Sequence, residues 1–358
     1  MGKLLSRERG FSVPVDLIRT IAIVGVILLH AGNDLTIQQV NTLEIFRWCT
    51  VDVYQSIGRV GVPLFVMLTG ALLLAPQKGT ESLSVFFKKR WVRIGLPFIF
   101  WLIIYFLWDF LVNQQAVTAN FIIQGVLSGP SYQFWYIYML VGLYLLTPVL
   151  RVMMAHAERS VIKFSLVLWF IGSAILPVVD LLTPYRLDIN LLVIPSYVGY
   201  YVLGAYLINV RVKRSFLVAF MALGVALTAI FTYAMAATIG GAAMYYFQDY
   251  VSPTMVLTSV MLFLLLNSFP APPEQPKEDA NSIGRKLLRL ISENTLAIFF
   301  FHLMVLEILQ NGYLGIAING NTINSIIGVP LITVLTLFIC LAVIVPLKRV
   351  PYLKRLIG

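Results

Sequence analysis

The stretch VDLIRTIAIVGVILLHAG, Val15–Gly32, decides how this chain is read. It is apolar enough and nearly long enough by itself to cross about 30 Å of hydrocarbon, yet it carries Arg19 and His30 within it. The two lie 11 residues apart, which on a helix is about 1100° of rotation and about 16 Å of rise, so they project from one face. An arginine near the bilayer centre costs about 2.5–3.5 kcal/mol on insertion scales, and intramembrane ionisable groups therefore mark pathways or sites. A polar lane along the first span is the expectation from which the rest of the reading starts.

The remainder of the chain has the same solvent. Of 358 residues, 59% are hydrophobic and 12% charged, with a mean hydropathy of +0.87, a balance that excludes an ordinary soluble domain. Apolar runs of spanning length fall near 14–32, 59–75, 94–112, 134–150, 164–180, 191–209, 215–237, 254–269, 295–310 and 326–347. The fold class expected is all-α, a polytopic membrane bundle of about ten transmembrane helices. Residues 1–358 form one integral membrane domain with no repeat of fixed period. The one linker-like stretch is proline-rich and polar, within a flexible inner loop at about 270–285. Segments 33–58, 113–133 and 239–253 read as long loops on the opposite side.

Nearly all of the 26 basic residues fall on one side of that topology. They cluster at Lys3, Arg7 and Arg9, at Lys78 and Lys88–Arg93, at Arg151, Arg159 and Lys163, at Arg211–Arg214, at Lys277–Arg289 and at Lys348–Arg355. Basic residues in short loops stay inside, so both termini are expected in the cytoplasm and the protein in the plasma membrane. The net charge of +10 is then a product of topology, and no nucleic-acid partner is required to explain it. Cys49 and Cys340 are too far apart in this topology for a disulfide and too few for a zinc site, so no metal is expected. Asp16 and Arg19 interrupt the first apolar region, which reads as an uncleaved span rather than a secretory signal.

Four stretches occur in a telling order: the Arg19–His30 spacing, VPLFVMLTGALLL at 62–74, RWVR at 90–93 followed by GLPF, and FWYIYMLVGLYLLTPVL at 134–150. Together they resemble the acyltransferase-3 family of integral membrane acyltransferases, nearest to its surface-polysaccharide O-acetyltransferase branch, which includes the enterobacterial common antigen O-acetyltransferase. The likeness is specific over about 13–151 and looser over 295–358. It implies transfer of an acyl group, usually acetyl from acetyl-CoA, to a hydroxyl of a cell-surface glycan or its lipid-linked precursor. Two positions depart from the family pattern. Thr69 stands before Gly70 where the family usually has Ser, and Leu140 stands five residues after Trp135 where the lipopolysaccharide-modifying branch has a carboxylate.

Acyl transfer from a thioester to an alcohol needs a base for the hydroxyl proton and a firm hold on the donor. His30 is the best base in the chain, with an ordinary pKa of about 6.5 for its residue type, and could also carry the acyl group transiently. Arg19, Arg90 and Arg93 gather at the inner end, where guanidinium forks suit the phosphates of coenzyme A. The simpler readings are a positive-inside cluster for Arg90 and Arg93, snorkelling of Arg19 beside Asp16 one turn earlier, and a structural histidine at position 30. Asp34, Arg59, Trp135, Tyr138, His302 and Glu307 are supporting or acceptor candidates. Each has a plain alternative in aromatic-belt, packing or water-facing roles. The competing function is a proton-coupled transporter or flippase of a glycan or small solute, with Arg19, His30, His302 and Glu307 along its path.

Overall fold

With no water in the hydrocarbon to pair exposed amides, a chain this apolar must satisfy its backbone within each segment, and helices do that. The computed structural model describes residues 13–32, 45–75, 81–183, 196–270, 283–319 and 322–358, and among them it is helical with no strand. The helices are α1 (Val13–Ala31), α2 (Ile45–Gly58), α3 (Gly61–Leu73) and α4 (Leu83–Leu111). Next come α5 (Ala119–Ser128), α6 (Trp135–His156), α7 (Arg159–Leu182) and α8 (Ser196–Leu207). The chain continues through α9 (Arg214–Thr238), α10 (Pro253–Asn267), α11 (Ile283–Gln310), α12 (Ser325–Leu347) and α13 (Pro351–Ile357). Nine segments among the described residues are long and apolar enough to cross a membrane. The expected span at 191–209 appears as the 12-residue α8, and the residues before it lie outside the described set.

Two of the expected loops are instead helical. Residues 45–58 form α2, which continues into α3 as one apolar segment, Ile45–Leu73, 72% buried. The reason is chemical: the polar groups of α2 face protein rather than water, so a hydropathy window that sees only polarity reads them as loop. Segment 113–133 contains α5, capped by the Thr118 hydroxyl accepting from the Phe121 N–H at 3.2 Å. On the other side, α11 begins at Ile283, inside the expected 270–285 loop; residues 271–282 are outside the described set.

Burial separates centre from rim. Ile45–Leu73 and α11 are each 72% buried, whereas α4, α7 and α9 are 22% buried, as expected for helices facing lipid. The central α1 packs against α2, α3, α10, α11 and α12. Glycines set its approach to α2 and α3: a Cβ on Gly58 would come within 2.8 Å of the Leu29 N, and one on Gly61 within 2.5 Å of the Ala22 O. Small residues allow helix backbones to close up where lipid supplies no hydrophobic drive. Gly358 lines the same cavity as Arg19, so the last residue and the Arg19 end of α1 lie on one side of the bundle. That side holds Arg90, Arg93 and Arg151 and is called the basic end below.

Two π-turns, Trp91–Gly95 in α4 and Ile171–Ile175 in α7, share a cause. Each ends two residues before a proline, Pro97 or Pro177. A proline ring clashes with the carbonyl four residues back and offers no N–H to it, so the turn widens, and the Leu96 N–H bonds to the Trp91 carbonyl and the Leu176 N–H to the Ile171 carbonyl. The first π-turn contains Arg93, and such insertions recur at functional sites.

Gly70 and Gly204 make the closest crossing in the bundle. A Cβ on Gly70 would lie 1.8 Å from the Tyr201 carbonyl oxygen, and one on Gly204 1.9 Å from that of Met67. Both obstacles are backbone, so a rotamer change gives no relief. Gly70→Ala is expected to destabilise the protein by about 1–3 kcal/mol, the range for overpacked cores, read as a lower unfolding temperature in detergent. An unchanged transition would show that α3 and α8 do not pack as described.

Glu81 clamps the basic end, accepting from Lys89 Nζ at 2.8 Å and Arg151 Nη1 at 3.3 Å. Partial burial pushes its carboxyl up, but the hydrogen bonds and charges of Lys89 and Arg151 outweigh this and hold it below the ordinary range. A depressed carboxylate contributes stability that is present above its ordinary pKa of about 4.3 and fades as acid protonates it. Stability should therefore fall on acidification below that range, and Glu81→Gln should remove this contribution to the slope. An identical slope in the variant would rule the clamp out.

Candidate active site

At the basic end α1, α3, α4, α6 and α11 surround a cavity of about 520 Å³. Arg19 enters from α1, Thr69 from α3, Arg90 and Arg93 from α4, Tyr144 from α6, and Ser292 and Glu293 from α11. The three arginines expected to act together are thus neighbours in space. Among the described residues none of them forms an ion pair with a carboxylate. The Arg90 guanidinium instead lies 5.2 Å from the Phe86 ring centre and 5.7 Å from that of Tyr144. Asp16 is buried and accepts a short hydrogen bond from the Ser292 hydroxyl, and it makes no direct ion pair with Arg19. Glu293, the one carboxylate side chain on the cavity wall, is engaged by Arg289 Nε at 2.7 Å. Arg19 and Arg90 are half-buried and Arg93 is exposed; guanidiniums drawn into a cavity with no carboxylate in direct contact are costly to hold, and a polyanion entering it would relieve that cost.

His30 lies beyond this cavity rather than in its wall. Its ring stacks on His302 with centres 5.4 Å apart and planes 28° apart, and meets Tyr132 edge-on at 4.9 Å. The fully buried His302 lies 3.1 Å, through Nδ1, from the Ile298 carbonyl oxygen. A carbonyl only accepts, so Nδ1 carries the proton and Nε2, which has no partner, is the free base nitrogen of the neutral ring. His30 Nδ1 is also buried without a partner. Two imidazoles stacked inside a membrane helix bundle thus each present an uncommitted ring nitrogen to a third group.

An aromatic layer separates the two halves of this arrangement. Phe299 and Tyr136 both line the arginine cavity, their ring centres 5.1 Å apart. On its other side Phe299 contacts the His302 ring at 6.0 Å. The shared face of Arg19 and His30 therefore does not form an open polar lane, since one or two rings stand across it. The rotation arithmetic of a single helix had no means of showing what α6 and α11 would insert there.

The remaining candidates divide. His302, which reads as structural in the sequence, is brought against His30. Arg59 lies 5.7 Å from the Tyr250 ring, and Trp135 packs at 5.6 Å on both Tyr197 and Tyr250. Tyr138 is not brought to the imidazoles: its hydroxyl donates to the Val126 carbonyl at 2.5 Å and its ring packs on Phe98, which ties α5 to α6. Glu307 accepts from Trp108 Nε1 at 2.9 Å and serves to join α11 to α4. Asp34 lies outside the described residues. Leu140, the departure from the carboxylate pattern, contributes an apolar wall to the arginine cavity. Phe299 and Tyr132 are missed by the sequence reading, because an aromatic residue in an apolar span carries no signal of which neighbour it will face.

No curated protein and no solved structure matches this chain. A family profile, described as "Acyltransferase domain", matches residues 14–345, and so includes the middle spans that sequence inspection could treat only as generic apolar helices. An arginine-lined cavity beside a stacked imidazole pair, in a bundle of lipid-facing helices, is thus carried by a chain that belongs to the acyltransferase-3 family of membrane acyltransferases.

Proposed function

We propose that this protein is an O-acetyltransferase that moves acetyl from cytoplasmic acetyl-CoA to a hydroxyl of a cell-surface polysaccharide or its lipid-linked precursor. The observation that carries this reading is the sequence of contacts from three guanidiniums that make no direct ion pair among the described residues, through Phe299, to the stacked His302 and His30. Guanidinium forks bind phosphate oxygens bidentately, so Arg19, Arg90 and Arg93 hold the nucleotide end of the donor at the inner, basic end. The pantetheine arm extends past Phe299 and Tyr136 toward the imidazoles.

His30 then takes the acceptor's hydroxyl proton as the oxygen attacks the thioester carbonyl. Collapse of the tetrahedral species forms the ester and breaks the carbon–sulfur bond, and the departing thiolate recovers the proton from the imidazolium. The ring of His302, fixed by the Ile298 carbonyl, orients His30 by stacking.

Vesicles containing the protein, supplied with labelled acetyl-CoA on the inner side and a polysaccharide acceptor outside, should transfer label to saccharide. Accumulation of an unacetylated solute across the membrane with no label transferred would favour the transporter reading instead. Enlarging the passage with Phe299→Ala should alter donor acyl-length preference, admitting propionyl-CoA relative to acetyl-CoA by about 10-fold, the scale for one methylene in an apolar pocket. An unchanged ratio would remove Phe299 from the donor path.

A further inference from the structure

Four polar residues of α2 and its last turn, Asp52, Gln55, Ser56 and Arg59, are spaced i, i+3, i+4 and i+7. At about 100° per residue they occupy an arc of about 100°, one polar stripe along the helix, and the Arg59 N–H bonds to the Gln55 carbonyl at 3.0 Å, so the turn continues that far. Asp52, Gln55 and Ser56 are buried. The stripe's two ends meet the same neighbouring segment: Gln248 Nε2 donates to Asp52 Oδ1 at 2.6 Å, and Arg59 lies over the Tyr250 ring. Tyr250 in turn continues into the panel of Trp135 and Tyr197. On the α1 side, Gly58 approaches the Leu29 backbone, which places Arg59 at the level of His30.

This region is unusually rich in unused hydrogen-bonding capacity. Gln55 Nε2, Ser56 Oγ, Arg59 Nε and Gln248 Oε1 are all buried without a partner, as is His30 Nδ1. Each such atom costs about 1–3 kcal/mol if nothing ever pairs with it, and a concentration of them in one layer indicates a ligand with several donors and acceptors. The flat faces of Trp135, Tyr197 and Tyr250 suit the apolar side of a sugar ring, and their neighbours suit its hydroxyls. Among the described residues Arg59 has no ion pair, while the nearby Asp52 carboxylate is engaged by Gln248.

We propose that the Asp52–Arg59 stripe and the Trp135–Tyr197–Tyr250 panel form the acceptor site, and that Arg59 selects a saccharide bearing an anionic group, a carboxylate or a phosphate. This rests on the acetyltransferase reading for what happens to the bound sugar, but not for the binding itself. The test is saccharide binding to the full-length protein in nanodiscs without acetyl-CoA, using a glucuronate-containing trisaccharide, its carboxyl-reduced counterpart and glucose 1-phosphate as probes.

Wild type should bind the glucuronate form about 10-fold or more tighter than the reduced one, the scale of one charge-assisted hydrogen bond. Arg59→Gln should erase that preference, Arg59→Lys should keep part of it, and Trp135→Ala should weaken both trisaccharides alike. Tight glucose 1-phosphate binding that Arg59→Gln abolishes would assign the anion as phosphate. Equal binding of acid and reduced forms with weak phosphate binding, no binding of any probe, or an anion preference that survives in a folded Arg59→Gln protein would each overturn the proposal. Failure of acetyl transfer to a saccharide that binds in this Arg59-dependent way would overturn the acetyltransferase reading and leave the binding site standing.

Discussion

His30→Ala should lower acetyl transfer by about 10²–10⁴-fold, the range for loss of a positioned general base, with little change in the donor concentration needed for half-maximal rate. The structure separates the two effects: the imidazole lies beyond Phe299, outside the cavity that Arg19, Arg90 and Arg93 line. Because the ring packs on His302 and Tyr132, alanine also leaves a void, so His30→Gln serves as the companion variant that keeps volume and removes the base. Both should fold, and added imidazole should restore part of the activity to the alanine variant. Label transfer by a folded His30→Gln protein at the wild-type rate would falsify the assignment of His30 as base.

The second large effect concerns the donor. Arg90→Gln or Arg93→Gln should raise the acetyl-CoA concentration for half-maximal rate by about 10–150-fold, the equivalent of about 1.5–3 kcal/mol for a hydrogen bond to a charged group. The double variant should lose more than either single change, with the sum not strictly additive, because both side chains come from one turn of α4 and line one cavity. The maximal rate should move less, since the phosphates lie far from the reacting carbonyl. Competition is a useful second readout: inhibition by free coenzyme A should weaken in parallel, whereas dephospho-coenzyme A should already be a poorer competitor of wild type. An unchanged donor dependence in both single variants would reduce the cluster to the positive-inside charge that its sequence also permits.

How far the chain could be read without coordinates varies from element to element. The apolar spans were legible, because in lipid each must close its own hydrogen bonds and so declares itself by length alone. Arg19, Arg90 and Arg93 were legible as a group through their common end of the topology, and the structure places them around one cavity. Helix α2 was not, since the polar stripe that marks it as a buried interior helix lowers the same hydropathy that identifies spans. Its i, i+3, i+4, i+7 spacing was the signal available. Tyr138 and Glu307 were selected for residue type and position along a span, and their hydrogen bonds to α5 and α4 were not legible there.

The π-turns occupy an intermediate position. Pro97 and Pro177 predict a disturbance one turn earlier in each helix, but whether the chain kinks or widens depends on the packing around it.

Composition and hydropathy by themselves determined a bundle of membrane-crossing helices with its basic loops collected at one end, because solvent acts on each segment separately. Only the tertiary structure decided that His302 stacks on His30, that Phe299 stands between them and the arginines, and that α2 turns its polar face toward Tyr250. Those outcomes depend on the angle at which distant helices cross, and that angle is set by glycine contacts such as Gly58–Leu29 and Gly70–Tyr201, where one missing Cβ admits a whole neighbouring backbone.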